Sequence, residues 1–178
     1  DTVVAIGIFD GVHIGHRRII SAAIREARRG RKESVIITFD PHPLKILKPH
    51  VSVPSIMSTS HRLRFISALG ADRCRVIKFN RRFSGLTPGD FAGKVLAGRF
   101  RASKVFIGSN FVFGKGNAGD ASSLKKLGRE YGFEVKVVPM VKVGGEVVSS
   151  TAIRRHIIRG RLDEAARMLG RPVSVYGT

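Results

Sequence analysis

The hydrophobic residues of this 178-residue chain follow two alternating patterns. Short continuous apolar runs are typical of buried parallel strands, whereas an apolar residue every three or four positions is typical of an amphipathic helix. The continuous runs predict strands over residues 3–9, 34–39, 75–79, 104–108 and 133–139. The periodic segments predict helices over residues 16–30, 60–70, 88–98, 119–132, 150–160 and 162–169. Strands therefore alternate with helices along most of the chain.

This alternation predicts an α/β fold, a Rossmann-like parallel sheet with helices on both faces. We expect one domain over residues 1–170, with residues 171–178 forming a linker or the start of a further module. In such sheets, ligands bind beyond the carboxyl ends of the strands. Segments rich in polar residues, glycine or proline follow predicted strands at 9–16, 40–43 and 108–116, and we expect the functional site there.

The charge of the chain narrows the classes of ligand. Lys and Arg number 32 against 13 Asp and Glu, and the formal net charge of +19 attracts nucleotides, phosphates, nucleic acids and acidic lipids. The basic residues are scattered and there is no Trp, so we expect only weak, non-specific binding of nucleic acid. No membrane helix or signal peptide is recognisable, and Cys74 is the only cysteine. These features predict a cytoplasmic protein without an internal disulfide.

The segment GIFDGVHIGH, residues 7–16, places two histidines where the first strand gives way to the first helix. A helix N-terminus presents unpaired backbone N–H groups and a partial positive charge, and both suit phosphate. Gly15 allows a ligand to approach the backbone closely, while His13 and His16 can donate hydrogen bonds to phosphate oxygens. Alternatively, one or both histidines are structural capping residues. Zinc is disfavoured because no Cys or carboxylate stands at ligand spacing.

This segment and three others together resemble a known family. H-x-G-H at this position resembles the signature of the nucleotidyltransferase superfamily. The longer string resembles one branch, the FMN adenylyltransferase (FAD synthetase) module of bacterial bifunctional riboflavin kinase/FAD synthetases. TFDPHP (38–43), GSNFVFGKGNAGD (108–120) and VSSTAIR (148–154) are similar to further motifs of that branch, in the same order. The resemblance covers essentially the whole chain and implies an enzyme with the nucleotidyltransferase fold.

The resemblance implies that the phosphate of FMN attacks the α-phosphorus of ATP and that FAD and pyrophosphate are formed with the help of Mg²⁺. The residues implied in catalysis are His13, His16 and Arg154. Those implied in binding ATP are Gly7, Phe9, Asp10, Gly11, Gly15, Ser149, Ser150 and Thr151. Those implied in binding FMN are Asp40, His42, Asn110, Phe111 and Phe113, and those implied at the metal are Asn110 and Asp120.

Several of these residues also have ordinary structural interpretations. Asp10 suits a plain turn, and Asp120 suits a helix cap. His42 can pack as a loop residue between its two prolines, one phenylalanine after residue 110 can belong to the core, and helix capping explains at least one hydroxyl in 149–151. We keep these alternatives open at this point.

The chain departs from the family at two positions, and its ending carries a further expectation. Ile8 stands where the family often has Asn, and Val112 replaces a residue that is commonly Arg or Thr. Both changes bear on affinity and flavin orientation rather than on the class of reaction. The segment VSVYGT (173–178) looks like the first strand of a riboflavin kinase module. We therefore expect no kinase activity in this chain, with a kinase module as a partner in a full-length protein.

Three other functions stay open on the sequence. One is another nucleotidyltransferase on the same fold, which TFDPHP and GSNFVFG disfavour. Another is a basic nucleic-acid-binding protein that uses the fold as a platform, which the charge favours. A third is a flavin sensor without catalysis, which the intact HIGH and SSTAIR segments disfavour.

Overall fold

The computed structural model describes residues 1–174, in which five parallel strands form one sheet in the order β3-β2-β1-β4-β5. The strands are β1 Thr2–Ile6, β2 Glu33–Asp40, β3 Arg73–Lys78, β4 Ala102–Gly108 and β5 Glu134–Val138. The central strand β1 pairs with both neighbours, since Val4 lies opposite Val35 on one side and Val105 on the other, and its register with β4 shifts between Thr2 and Val3. The predicted α/β fold with a Rossmann-like parallel sheet is confirmed. Residues 175–178, which hold most of the expected kinase strand, lie outside the described residues.

Helices connect the strands and follow the last one. They are α1 Ile14–Arg29, α2 Pro43–Leu47, α3 Thr59–Ala68, α4 Arg81–Ser84, α5 Pro88–Asp90, α6 Ala121–Tyr131, α7 Ser150–Ile158 and α8 Leu162–Leu169. The helix predicted over 88–98 is present, but α5 continues as a π-helix over Phe91–Arg99, and a 3₁₀ turn covers Lys115–Asn117. No helix within residues 1–174 is long and apolar enough to cross a membrane.

An antiparallel hairpin separate from the main sheet joins β5 to α7. Its strands are β6 Lys142–Val143 and β7 Glu146–Val147, and the periodicity of the sequence did not predict them. Strands of two residues are too short to show an alternation of apolar and polar positions.

The sheet divides the main core into two layers. On β1, Val4 and Ile6 face a cluster shared with the π-helix and α6, while Val3 and Ala5 face a cluster shared with α1 and α3. Because successive side chains of a strand point to opposite faces, the continuous apolar run of β1 serves both layers. A third cluster joins α7 to α8, and Ile14 at the start of α1 packs against it. The two C-terminal helices thus lie beside the end of the sheet from which α1 begins.

Gly128 allows α6 to pack closely on the segment that leads into β5. A Cβ atom at Gly128 would lie 2.6 Å from the carbonyl oxygen of Phe133. The N–H of Phe133 donates to the carbonyl of Gly128 at 2.8 Å, and its ring is buried in the core. A side chain at position 128 therefore collides with backbone that is itself held in place.

We expect Gly128→Ala to lower the free energy of unfolding by about 1–3 kcal/mol, because the methyl group displaces Phe133. In an open helical position the same change raises stability by roughly 0.5–1 kcal/mol. Gly89→Ala in α5 is the matched control, because a Cβ there would meet no atom closer than 3.8 Å. Urea denaturation measures both variants, and a Gly128→Ala protein as stable as the parent would contradict this packing.

Candidate active site

The loop between β1 and α1 has an unusual backbone. β1 ends at Ile6, so the prediction of a strand to residue 9 is wrong at its end. Phe9 continues the apolar run because its side chain is fully buried in the loop. Its φ of 50° is incompatible with a strand. Gly11 and Val12 also have positive φ, 86° and 39°. Non-glycine residues in this region are strained and persist only where surrounding contacts hold them.

Side chains from three other elements hold this loop by its carbonyl groups. The carbonyl of Ile8 accepts hydrogen bonds from Thr38 Oγ1 of β2 at 2.7 Å and from Arg62 Nη1 of α3 at 2.6 Å. The carbonyl of Asp10 accepts from Ser150 Oγ of α7 at 2.8 Å. The loop is therefore fixed from outside by residues distant in sequence.

Gly7 and Gly15 make room for side chains of this same segment. A Cβ at Gly7 would lie 2.8 Å from the ring of Phe9, and a Cβ at Gly15 would lie 3.2 Å from the ring of His13. A side chain at position 15 would therefore crowd the His13 ring, and glycine avoids this contact. Close approach of a ligand to Gly15 stays a prediction.

The two histidines lie together at the start of α1. The helix begins at Ile14, two residues before the predicted start, because His13 caps it: His13 Nδ1 accepts the backbone N–H of His16 at 3.2 Å. The two imidazoles stack with centroids 3.5 Å apart and an interplanar angle of 18°. The edge-to-face ring of Phe9 packs against His16 at 5.2 Å. The capping interpretation is therefore confirmed for His13, and the stacked pair places both rings at the N-terminus of the helix.

Both histidines are neutral at pH 7. Burial lowers the pKa of His13 from 6.5 to about 4, with Asp10 opposing the shift and Arg171 adding to it. Burial, His13 and Arg62 lower the pKa of His16 well below 6.5. A neutral imidazole has one donor and one acceptor nitrogen, so the accepting Nδ1 of His13 leaves its proton on Nε2. His16 Nδ1 is buried and has no hydrogen-bond partner among the described residues.

Asp10 holds Arg154 in place. The Asp10 carboxylate is 3% exposed and accepts the backbone N–H of Ile56 at 3.1 Å and that of Met57 at 3.4 Å. Arg154 Nη2 donates to Asp10 Oδ2 at 2.6 Å, and Arg154 Nε donates to the carbonyl of Pro54 at 2.7 Å. Asp10 is thus more than a plain turn residue, since its carboxylate orients the guanidinium.

The three hydroxyl residues before Arg154 have different surroundings. Ser149 caps α7 by accepting the N–H of Ala152 at 3.1 Å, as ordinary helix capping predicts. Ser150 Oγ donates to the loop carbonyl of Asp10. Thr151 is exposed and lines an open surface groove of 410 Å³. Of the three residues, Thr151 is the one that is exposed at this groove.

The predicted flavin segment after β2 comes to the same end of the sheet. Asp40 and His42 line a cavity of 160 Å³ together with Asp10, Lys45 and Arg62. The structure thus brings these two residues together with Asp10 of the loop between β1 and α1, as the meeting of strand carboxyl ends predicts.

His42 caps the short helix α2. Its Nδ1 accepts the N–H of Leu44 at 3.2 Å, and burial, followed by the charge of Arg154, lowers the pKa of its imidazole. The proline-flanked loop therefore holds an imidazole that caps a helix and also faces the cavity.

Arg62 belongs to this site although the sequence analysis gave it no role. Its side chain is buried at 6% exposure, and besides the bond to Ile8 its Nη2 donates to Thr59 Oγ1 at 2.9 Å. The available signal was its position four residues before Ile66, on the buried face of a predicted helix. A basic residue on such a face is unusual unless its charge is used.

The segment after β4 separates into an exposed part and a buried part. Asn110 is exposed in the turn after β4. Phe113 is buried in the core, and half-buried Phe111 stacks on it with centroids 5.6 Å apart. One phenylalanine is therefore a core residue, as one interpretation predicted, and Phe111 is the ring left partly open.

Asp120 has the helix-capping interaction that the sequence allowed. Its Oδ1 accepts the N–H of Ser123 at 2.8 Å in a reciprocal capping box at the start of α6. Over residues 1–174, no group of three or more His, Cys, Asp and Glu side chains could hold a metal ion. The assignment of Asn110 and Asp120 to a metal stays a prediction.

These features define a class of protein. A helix N-terminus capped by a histidine follows the central strand of a parallel sheet. A buried arginine and a polar cavity lie at the same end of the sheet. This combination is typical of an α/β nucleotide-binding transferase. The family model described as FAD synthetase matches residues 1–152, and the chain belongs to this family.

Individual relatives agree with this assignment. The chain is 33% identical over 175 residues to a bifunctional riboflavin kinase/FMN adenylyltransferase from Escherichia coli (strain K12), covering 98% of this chain and 56% of that protein. It is 35% identical over 180 residues to an FAD synthetase from Listeria monocytogenes, covering 98% of this chain and 71% of that protein. The chain thus spans about half the length of the bifunctional relatives.

A solved structure is also similar over nearly the whole fold. The crystal structure titled Macrolide-efflux Protein from Streptococcus pneumoniae superposes with a TM-score of 0.85 at 30% identity, over 97% of this chain and 65% of the other.

The low pKa of His13 predicts a loss of stability in acid. Between pH 6.5 and about 4 the unfolded chain binds a proton at this residue that the folded chain excludes, so the free energy of unfolding falls as the pH falls. From pH 7 to pH 4.5 the contribution of His13 is about 2 kcal/mol. We expect His13→Asn, which still caps the helix, to lose correspondingly less stability over this range.

Urea denaturation at the two pH values measures this difference. His50→Asn changes an exposed histidine and is the control, which we expect to follow the parent protein. If His13→Asn lost as much stability in acid as the parent, His13 would not be held neutral by the fold.

Proposed function

We propose that this chain is an FMN adenylyltransferase, which transfers AMP from ATP to FMN and gives FAD and pyrophosphate. The observation that carries the proposal is the stacked pair of neutral histidines at the N-terminus of α1, together with Arg154, which is fixed by Asp10 of the loop before that helix. Membership of the FAD synthetase family supports the choice of substrates.

In this reaction the protein positions groups and neutralises charge. An oxygen of the FMN phosphate attacks the α-phosphorus of ATP in line, the new P–O bond forms, and the bond to the β-phosphate oxygen breaks with loss of pyrophosphate. The N–H groups at the start of α1, the Nε2 proton of His13 and the imidazole of His16 donate to phosphate oxygens. The remaining N–H groups of Arg154 bind the β- or γ-phosphate, whose charge grows as the bond breaks.

The remaining contacts to ATP come from the two loops that meet at Asp10. We assign the nucleotide side to Gly7, Phe9, Asp10, Gly11 and Gly15 and, on α7, to Ser149, Ser150 and Thr151. The contacts of Phe9, Asp10, Ser149 and Ser150 suggest that these residues act by shaping the loop. Thr151, which is exposed, is the member best placed for direct contact.

We assign FMN to the side of the cavity formed by Asp40 and His42 and to the segment Asn110, Phe111 and Phe113. The cavity contains both carboxylates and cations, which suits a ligand with donors, acceptors and a phosphate. Since Phe113 is buried, it supports Phe111, and the half-buried ring of Phe111 is the one that contacts flavin.

Mg²⁺, when bound with ATP, supplies charge neutralisation at the phosphates. We propose that Asn110, exposed in its turn, contributes an amide oxygen to it. The carboxylate of Asp120, already engaged by Ser123, contributes to the position of α6 and only through it to the metal. We place the reaction in the cytoplasm, with a riboflavin kinase module as the partner that supplies FMN.

The first test is chemical. We expect the chain, incubated with FMN, ATP and Mg²⁺, to give FAD that chromatography resolves, while riboflavin with ATP gives no FMN. CTP in place of ATP tests for another nucleotidyltransferase. No FAD despite binding of FMN and ATP would point to a flavin sensor, and no binding of either would overturn the proposal.

The second test removes one histidine. We expect His16→Ala to lower kcat by about 10²–10³-fold, the usual cost of losing a donor to transition-state charge. The effect on thermal unfolding should be much smaller than that on kcat, because the helix propensity of Ala offsets part of the packing lost against Phe9 and His13. Arg18→Ala, at an exposed position of the same helix, is the control and should keep normal turnover. An unchanged kcat in His16→Ala would show that His16 does not contact the reacting phosphates.

A further inference from the structure

Arg171, which follows α8, reaches back to the loop before α1. Its Nη2 donates to the carbonyl of Gly11 at 2.7 Å, and its Nη1 lies 3.4 Å from the carbonyl of Val12. The guanidinium also lies over the ring of Phe65, 4.0 Å from the centroid. Arg171 Nε is buried and has no hydrogen-bond partner within residues 1–174. This residue lies beyond the part of the chain that the family model matches, residues 1–152.

The two carbonyls that Arg171 holds belong to the strained part of the loop. Gly11 and Val12 have positive φ, which a β-branched residue such as Val12 adopts only under constraint. The carbonyl of Val12 belongs to the peptide unit that also contains the N–H of His13. Fixing this peptide plane therefore fixes the direction in which the backbone enters His13.

A second contact between the same two segments runs in the opposite direction. Arg17 of α1 approaches the carbonyl of Gly170 at 3.4 Å. Gly170 has a φ of 68°, and a Cβ there would lie 2.7 Å from Ile14 Cγ2. The chain thus leaves α8 in a glycine conformation that lets it pass directly against the start of α1, and Arg171 follows at once.

We propose that Arg171 is a positioning residue for the H-x-G-H loop, and that the adenylyltransferase unit accordingly extends through Arg171. In this arrangement the segment after α8 sets the geometry of His13, although it touches neither substrate. The expected effect of Arg171 on the reaction rate rests on the proposed function, whereas its expected effect on the geometry of the loop does not.

The test compares variants of the chain over residues 1–178. Arg171→Met keeps the length of the side chain and removes its charge and donors, whereas Arg171→Lys restores one cation. Arg167→Met, on the exposed side of α8, is the matched control, since the Arg167 side chain is 66% exposed. Each variant is assayed at a temperature where circular dichroism shows it to be folded.

In the rate assay we expect Arg171→Met to lower kcat by about tenfold or more, because a small displacement of a catalytic group has a large effect on rate. The KM for FMN should change less than about twofold, because the residue does not touch this substrate. Arg171→Lys should recover part of the loss, and Arg167→Met should match the parent. A change confined to thermal stability, with kcat and KM as in the parent, would overturn the positioning role.

A second readout does not depend on activity. The groups that face the two imidazoles are Asp10 in the loop, Arg62 on α3 and Arg171, and Arg154 on α7 is paired to Asp10. In an NMR titration we expect the pKa of His13, about 4 in the parent, to rise in Arg171→Met and to stay in Arg167→Met. An unchanged titration would overturn the proposal. A raised pKa in a chain that makes no FAD would support the placement of the Arg171 charge beside His13 while rejecting the proposed function.

Discussion

The buried ion pair between Asp10 and Arg154 joins three parts of the chain that are far apart in sequence. Asp10 lies in the loop after β1, Arg154 on α7, and the N–H groups of Ile56 and Met57 complete the shell of the carboxylate. The side chains of the pair are 5% and 14% exposed. Removing one member of such a pair costs about 3–5 kcal/mol, because the other charge stays buried without a partner. The site is therefore assembled only when all three segments are in place.

The strain in the loop explains why so many distant groups contact it. Backbone with positive φ at Phe9 and Val12 does not persist through local preference. Each of the carbonyls from Ile8 to Val12 has a hydrogen bond, and the donors come from β2, α3, α7, the segment after α8 and the loop itself. Most of these donors belong to elements that are packed into the hydrophobic clusters, so they hold the loop in a fixed position relative to the fold. A rigid loop keeps the histidines at the helix end in one arrangement without a bound ligand.

The order of elements and the meeting of the motifs were predictable from sequence, but the contacts that hold the site were not. The apolar pattern identified all five strands of the sheet, most clearly β1, β2 and β4, whose buried residues follow one another along the strand. The same pattern wrongly extended β1 to Phe9. An apolar residue that is buried in a loop cannot be distinguished, from sequence alone, from one that is buried in a strand. Arg62 and Arg171 contact the loop across 54 and 160 residues of sequence. Such pairings depend on tertiary geometry. The sequence around a basic residue in or after a helix therefore does not indicate which backbone carbonyl it will contact.

The distribution of charge around the histidines follows from the same geometry. Arg62 and Arg171 lie close enough to the imidazoles to lower their pKa values, and burial acts in the same direction. Positive charge beside the helix end is therefore carried by guanidinium groups, which stay protonated at any pH the fold tolerates. The imidazoles contribute directed hydrogen bonds. A polyanion placed at this site would meet a constant charge and donors of defined orientation, without help from the large net charge of the surface.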